Sequence, residues 1–264
     1  MQLPWITDPH LNFLDTEGPR DFGLKVREAI PDLGAVLVTG DIGEYPDFNT
    51  LIESFAEGVG APVYFVLGNH DAYRGSIVGM RVKAEEMAGK ARWLPKAGTV
   101  ELAPGVALVG HDGWYDARLG DPKRSNVVLS DFMTIRELLG CSQEEIITTV
   151  REIADAFTEE ARILLEAAVA QGYKRILFAT HVPPYAQATW HQGQMSDKNF
   201  LPWMSNRSMG EMLDEVTGAN PDVEFTVFCG HTHSAGRYER SPNLLVRTGH
   251  AAYGYPRVTD VLTF

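Results

Sequence analysis

The chain should fold as an α/β protein built on parallel strands that are covered on both faces. Three observations point there. Apolar runs of strand length recur at 35–39, 63–67 and 175–180, too continuously apolar to have one face in water. Stretches with helical spacing of apolar residues separate the early ones. Most of these runs stop abruptly at a short polar cluster, where ligands bind in open α/β sheets.

Taken in order, residues 3–7 read as a strand and 18–31 as an amphipathic helix. Its Phe22, Val26 and Ile30 fall at i, i+4, i+8, and Pro31 lies just beyond. Strand 35–39 ends at Gly40-Asp41. Helix 48–58 follows, with Phe48, Leu51, Ile52 and Phe55 on one side and Gly58 and Gly60 closing it. Strand 63–67 ends at Gly68-Asn69-His70-Asp71. Residues 100–102 and 106–109, joined by Ala103-Pro104-Gly105, suit an antiparallel hairpin, and a polar-aromatic loop runs from His111 to about Ser130. Residues 143–171 form a long helix or a broken pair, entered through Ser142 and Glu145, a capping box. Strand 175–180 delivers His181, and an irregular stretch of about 20 residues follows it. Helix 207–217, strand 224–229 ending at Gly230-His231-Thr232-His233, and strands at 244–247 and 257–264 complete the chain. One domain of 264 residues accommodates all of this, with no repeat or linker.

Composition narrows the chemistry. Lys and Arg number 23 against 35 Asp and Glu, a net charge of −12. That disfavours a nucleic-acid polymer as partner, because phosphate backbones require clustered cations. Two bound dications would offset about four of those charges. The two cysteines, Cys141 and Cys229, make neither a metal spacing nor a disulfide framework. Free thiols, the lack of a signal-like N-terminus and the absence of a membrane-length apolar run together predict a cytoplasmic protein without a membrane partner.

The strand-end clusters carry the function. Asp8-Pro9-His10 and His231-Thr232-His233 each offer two groups at i and i+2, which share a side if the backbone is extended; Pro9 biases Asp8 toward that geometry. Five of the eight histidines lie in these clusters. Imidazole and carboxylate gathered at strand ends make a metal site, and the lack of thiolates argues against a closed structural zinc.

The ordered set Asp-x-His, Gly-Asp, Gly-Asn-His-Asp, His, Gly-His-x-His resembles the calcineurin-like metallophosphoesterases from Asp8 to His233. That resemblance implies a four-layer αββα sandwich of two mixed sheets flanked by helices, with a two-metal centre at the strand ends. By motif, Asp8, His10 and His233 would hold one metal, Asn69, His181 and His231 the other, and Asp41 would bridge them. These donors suit Mn, Fe, Zn or Ni rather than Mg. The implied reaction is hydrolysis of a phosphomonoester or phosphodiester of modest size, by in-line attack of a metal-bridging hydroxide. His70 would be protonated, donating to the leaving oxygen or stabilising its charge, with Asp71 and Glu44 the two carboxylates available to orient it. Related phosphatases carry an Asp at the position of Glu44.

Departures narrow the resemblance. Gly40-Asp41-Ile42-Gly43-Glu44-Tyr45-Pro46 lacks the phosphate-gripping Arg of the protein Ser/Thr phosphatases, and Glu44 stands where purple acid phosphatases place a metal-binding Tyr. Class III cyclic-nucleotide phosphodiesterases are similar at Gly-Asn-His-Asp and Gly-His-x-His but differ at the second motif. Substrate choice falls to the loops near 111–130 and 185–206, a possible lid. Arg118 and His191 are candidates to bind phosphate oxygens, Trp114 to line the pocket and His250 to line its rim. A nuclease and a catalytically silent scaffold are the alternatives; the acidic balance opposes the first and the intact ligand set the second.

Overall fold

The computed structural model describes all 264 residues. Two mixed sheets face each other. The first has the order Asp260–Thr263, Gln2–Ile6, Val36–Thr39, Val63–Val66, Ala91–Trp93, with only the Asp260–Thr263 strand antiparallel. The second runs Gly236–Ser241, Leu244–Thr248, Glu224–Cys229, Arg175–Ala179, Val106–Gly110, Val100–Ala103; its four central strands are parallel and both edges antiparallel.

Strand alternation explains the layers. Leu3, Trp5, Leu37, Tyr64 and Val66 of the first sheet meet Leu108, Leu177, Ala179 and Phe228 of the second in one apolar core. Their neighbours along the same strands point outward. Ile6, Val36, Val38 and Phe65 pack against helices Gly18–Ala29 and Phe48–Val59. Val109, Ile176, Phe178, Phe225 and Val227 pack against Gln143–Ala170 and Arg207–Ala219. The central strands are buried on both faces, which is why they read as continuous apolar runs. The result is the αββα sandwich.

Most elements lie where their patterns put them. The stretch 143–171 is a single continuous helix, Gln143–Ala170, and its Ser142–Glu145 capping box is formed in both directions. The last strand is shorter than expected, Asp260–Thr263. Helix Ile77–Glu86 was hidden, because only Ile77, Met80 and Ala84 are buried while Val78 and Val82 face solvent. The stretch 185–206 is structured too: it holds the two-stranded hairpin Trp190–His191 and Gln194–Met195 and the short helix Leu201–Met204. No helix is long and apolar enough to cross a membrane.

A third cluster lies outside the sandwich. Trp114, Tyr115, Ile135, Leu138, Ile146 and Trp203 join in a small core that packs segment 111–138 and the end of 185–206 onto the long helix. These contacts anchor segment 111–138 and the end of 185–206.

Phe228 is fully buried between the sheets, with its ring 4.9 Å from that of Trp5. Phe228→Ala is expected to lower stability by about 3–5 kcal/mol. Urea unfolding should show this as a lower midpoint at unchanged slope.

Candidate metal centre

The strands Gln2–Ile6, Val36–Thr39, Val63–Val66, Arg175–Ala179 and Glu224–Cys229 release their side chains at one end of the sandwich. The turns there are tight. Asp8, His10, Asp41, His231 and His233 all have positive φ (46°, 44°, 53°, 68° and 55°), five of the eight non-glycine residues that do. The extended geometry expected for the two doublets is therefore not what forms. At His10, φ 44° and ψ 55° are left-handed, and Pro9 does not hold Asp8 extended. Side chains i and i+2 converge through curled backbone instead. Glycines make room for it: a Cβ on Gly68 would overlap the Asp41 carboxylate, and one on Gly230 would overlap that of Asp8.

Two donor groups result. In the first, ligand atoms of Asp8, His10, Asp41 and His233 all lie within 4.8 Å of one another. The Nε2 atoms of His10 and His233 are 3.1 Å apart, and His233 Nε2 is 3.5 Å from Asp8 Oδ1. In the second, Asn69 Oδ1 is 3.1 Å from His181 Nε2 and 3.0 Å from His231 Nδ1, and Asp41 Oδ1 is 3.4 Å from His181 Nε2. Asp41 takes part in both, its Oδ2 lying 4.0 Å from His10 Nε2.

The donor chemistry fits a pair of cations. The far nitrogens of His181 and His231 face backbone carbonyls, those of Thr39 and Trp203, each at 2.9 Å. A neutral ring giving its proton to that carbonyl turns a lone pair toward the lone pairs of Asn69 Oδ1. With both rings neutral, three acceptors meet there, an arrangement that suits a metal ion. Burial pushes His10 and His231 down to about 4, so both rings are neutral and able to ligate near pH 7. At His181 burial acts the same way but the carboxylates of Asp41 and Asp8 outweigh it and raise the pKa. That negative field attracts a cation as it attracts a proton. Burial opposes ionisation of Asp8, and His233, His181 and His10 overcome it, holding Asp8 well below the usual carboxylate range.

The profile of the calcineurin-like phosphoesterases matches residues 5–235. The chain belongs to that family. Its fold is similar to that of a phosphopantetheinyl hydrolase from Mycobacterium tuberculosis, at 15% identity over 96% of this chain and 89% of that one, with a TM-score of 0.63. It is similar also to a dimetal phosphatase from Danio rerio, at 16% identity over 95% and 87% of the two chains, with a TM-score of 0.56. No curated protein matches the sequence.

Around this metallophosphoesterase centre the other expected residues divide. His70 lies beside Asp41, its Nε2 3.9 Å from Oδ2 and its ring stacked on Tyr73 at 4.2 Å. His191 lines the same cleft, about 640 Å³ in volume. Five residues stand elsewhere. Asp71 accepts N–H bonds from Ile42 and Gly43 on Oδ1 and from Asp41 and Gly68 on Oδ2, at 2.7–3.1 Å, so its carboxylate clasps two turns and does not reach the His70 ring. Burial and Asp41 raise its pKa, yet two donors on each oxygen leave no free lone pair for a proton. Glu44 pairs with Arg74 at 2.5 Å and lies 3.5 Å from Asn12. Arg118 is spent on Asp155, Ser208 and Asp116. Trp114 is buried in the third core, and His250 is exposed against Arg257, outside the cleft.

Two residues had no sequence signal. Asp131 is buried and accepts from Asn69 Nδ2 at 2.9 Å, Tyr73 at 2.6 Å and Tyr115 at 2.9 Å. It fixes which end of the Asn69 amide faces the histidines. Tyr253 lies over the first donor group, 4.4 Å from the His10 ring and 5.0 Å from that of His233. Asp131→Ala should free the Asn69 amide and weaken the second cation by about 10–100-fold. Metal titration followed by calorimetry should then show one tight and one weakened site.

Proposed function

We propose that the protein is a dinuclear metal-dependent hydrolase of phosphomonoesters or phosphodiesters. The observation that carries this reading is the Asp41 carboxylate, whose two oxygens each face a separate imidazole-rich group. Asp8, His10 and His233 would hold one cation and Asn69, His181 and His231 the other, with Asp41 shared. When bound, such a pair supplies Lewis acidity that polarises the phosphoryl group and acidifies the attacking water.

The chain's own residues do the rest. Asp131 and the carbonyls of Thr39 and Trp203 lock the ligand tautomers and orientations before substrate arrives. His70 opens onto the cleft above Asp41, with about a fifth of its side chain exposed (18%). There it holds a proton at Nε2 for the leaving oxygen. Neither Asp71 nor Glu44 pairs with its ring, and the carboxylate nearest Nε2 is that of Asp41, at 3.9 Å. Stacking on Tyr73 and the bond from its own backbone N–H to Asp41 Oδ1, at 2.9 Å, set its position instead.

The test is turnover of p-nitrophenyl phosphate and bis-p-nitrophenyl phosphate after loading with Mn²⁺, Ni²⁺ or Zn²⁺. Hydrolysis of neither ester would overturn the reading. His70→Asn is expected to keep both metals by elemental analysis and to lower kcat by about 10²–10⁴-fold, most for esters of poor leaving groups. Full turnover of an unactivated ester by that variant would remove His70 from the mechanism.

A further inference from the structure

The cleft over the metal centre is lined without a single Lys or Arg. Its charged side chains away from the donor groups are acidic, Asp131 and Asp197, and Lys198, next in the chain, is exposed outside the wall. A second phosphate, a sulfate or a carboxylate on the substrate would therefore meet no Lys or Arg, His191 being the one basic side chain of the wall away from the donor groups and His70. Among polar neighbours such as Gln192, Gln194 and Ser196, the same wall also presents exposed apolar side chains. Val128, Met195 and Phe200 are 70%, 55% and 45% exposed, and Met204 and Leu129 continue the surface. Large apolar side chains held open to water beside a polar centre suit a partner that covers them.

The wall is built to keep its shape. Gln192 and Gly193 both have positive φ, forming the two-residue turn of the Trp190–His191 and Gln194–Met195 hairpin. The Trp190 ring fills the space left by the missing side chain of Gly236, and Gln192 N–H bonds Ser234 at 3.1 Å. Across the cleft Val128 is followed closely by Asp131, which is tied to Asn69.

From this geometry we infer that the substrate carries a single phosphoryl group on an uncharged, largely apolar organic group, which lies along Val128, Met195, Phe200 and Met204 while the phosphoryl group sits at the metal centre. This deepens the phosphoesterase reading and rests on it. Polyanionic esters such as nucleoside polyphosphates and sugar bisphosphates are disfavoured by the lack of a Lys or Arg for their additional charge. An aliphatic or aromatic group gains by covering exposed carbon that already stands in place.

Methyl phosphate, n-hexyl phosphate and 1,6-hexanediol bisphosphate separate these terms, because their leaving alcohols are similar in reactivity. The series is made both as monoesters and as methyl diesters, and Mn²⁺-loaded protein is assayed on all. The expected kcat/KM for the hexyl ester exceeds that of the methyl ester by about tenfold or more, and the bisphosphate falls below the hexyl ester by about tenfold. Phe200→Ala should shrink the hexyl-to-methyl ratio by about threefold or more. Val128→Lys should raise the bisphosphate relative to the hexyl ester. Calorimetric binding of hexylphosphonate against methylphosphonate reads the wall without turnover. Absence of any hydrolysis would sink the enzymatic reading, while tighter hexylphosphonate binding would still uphold the wall. Hydrolysis with equal ratios, or with the bisphosphate preferred, would overturn this inference and leave the phosphoesterase standing.

Discussion

The Asp71 carboxylate is the interaction on which the site depends. Its four N–H donors come from two turns, 41–43 and Gly68, which follow adjacent parallel strands. Those turns carry Asp41 and Asn69, one from each. A parallel strand pair has no ladder partner for the N–H groups beyond its last residue, and a buried donor left unpaired costs about 1–3 kcal/mol. One acidic side chain answers four of them. A second clasp joins the two sheets: Asp8 Oδ1 accepts the N–H of His231 at 2.9 Å, binding the first strand's end to that of Glu224–Cys229. The donor groups are thus positioned by carboxylates that bond backbone, and the left-handed turns, each costing on the order of 1–3 kcal/mol, persist because those bonds leave them no alternative.

The electrostatics follow from the same packing. Asp8 and Asp41 are buried side by side, where like charges repel and burial penalises both. Ringing them with His181 and His233, whose pKa values the carboxylates raise, stabilises the ionised forms without adding a permanent charge. A lysine or arginine in that place would neutralise the carboxylates and also repel a cation. Imidazole does the first only while protonated, and gives up its proton when a metal arrives. The residue types that make the centre stable without metal are therefore those that release it to metal.

Much of this was legible before any coordinates. The strands announce themselves because both of their faces are buried, and the ligands because each follows such a strand. What failed was local geometry inferred from local sequence. Extended doublets were a reasonable reading of Asp8-Pro9-His10, but the clasp between Asp8 and His231, 223 positions away, dictates the turn. Asp71 sits next to His70 in the chain yet bonds backbone some 30 residues earlier. Arg118 and Trp114 looked like site residues for their chemistry, and their partners Asp155, Ser208 and Ile146 lie far off in sequence. Asp131 and Tyr253 carry no motif at all. Their roles exist only where distant segments meet, and no spacing rule reaches that far.

Support and selectivity are consequently not separate parts of this molecule. The segment that supplies Val128 to the cleft wall supplies Asp131 to Asn69 three residues later. The segment that supplies Met195 and Phe200 places the Trp203 carbonyl on His231. Trp203 and Tyr115, neighbours in the third core at 6.1 Å between rings, tie the two segments together. On the proposed reading, a change in the exposed tips would alter what the cleft accepts, whereas a change in the buried bases would shift the amide of Asn69 or the tautomer of His231. Exposed tips on buried bases would let the pocket vary while the donor geometry holds. The buried tryptophan, with its indole on Ser125 at 2.8 Å and its carbonyl on a ligand, marks the boundary between the two.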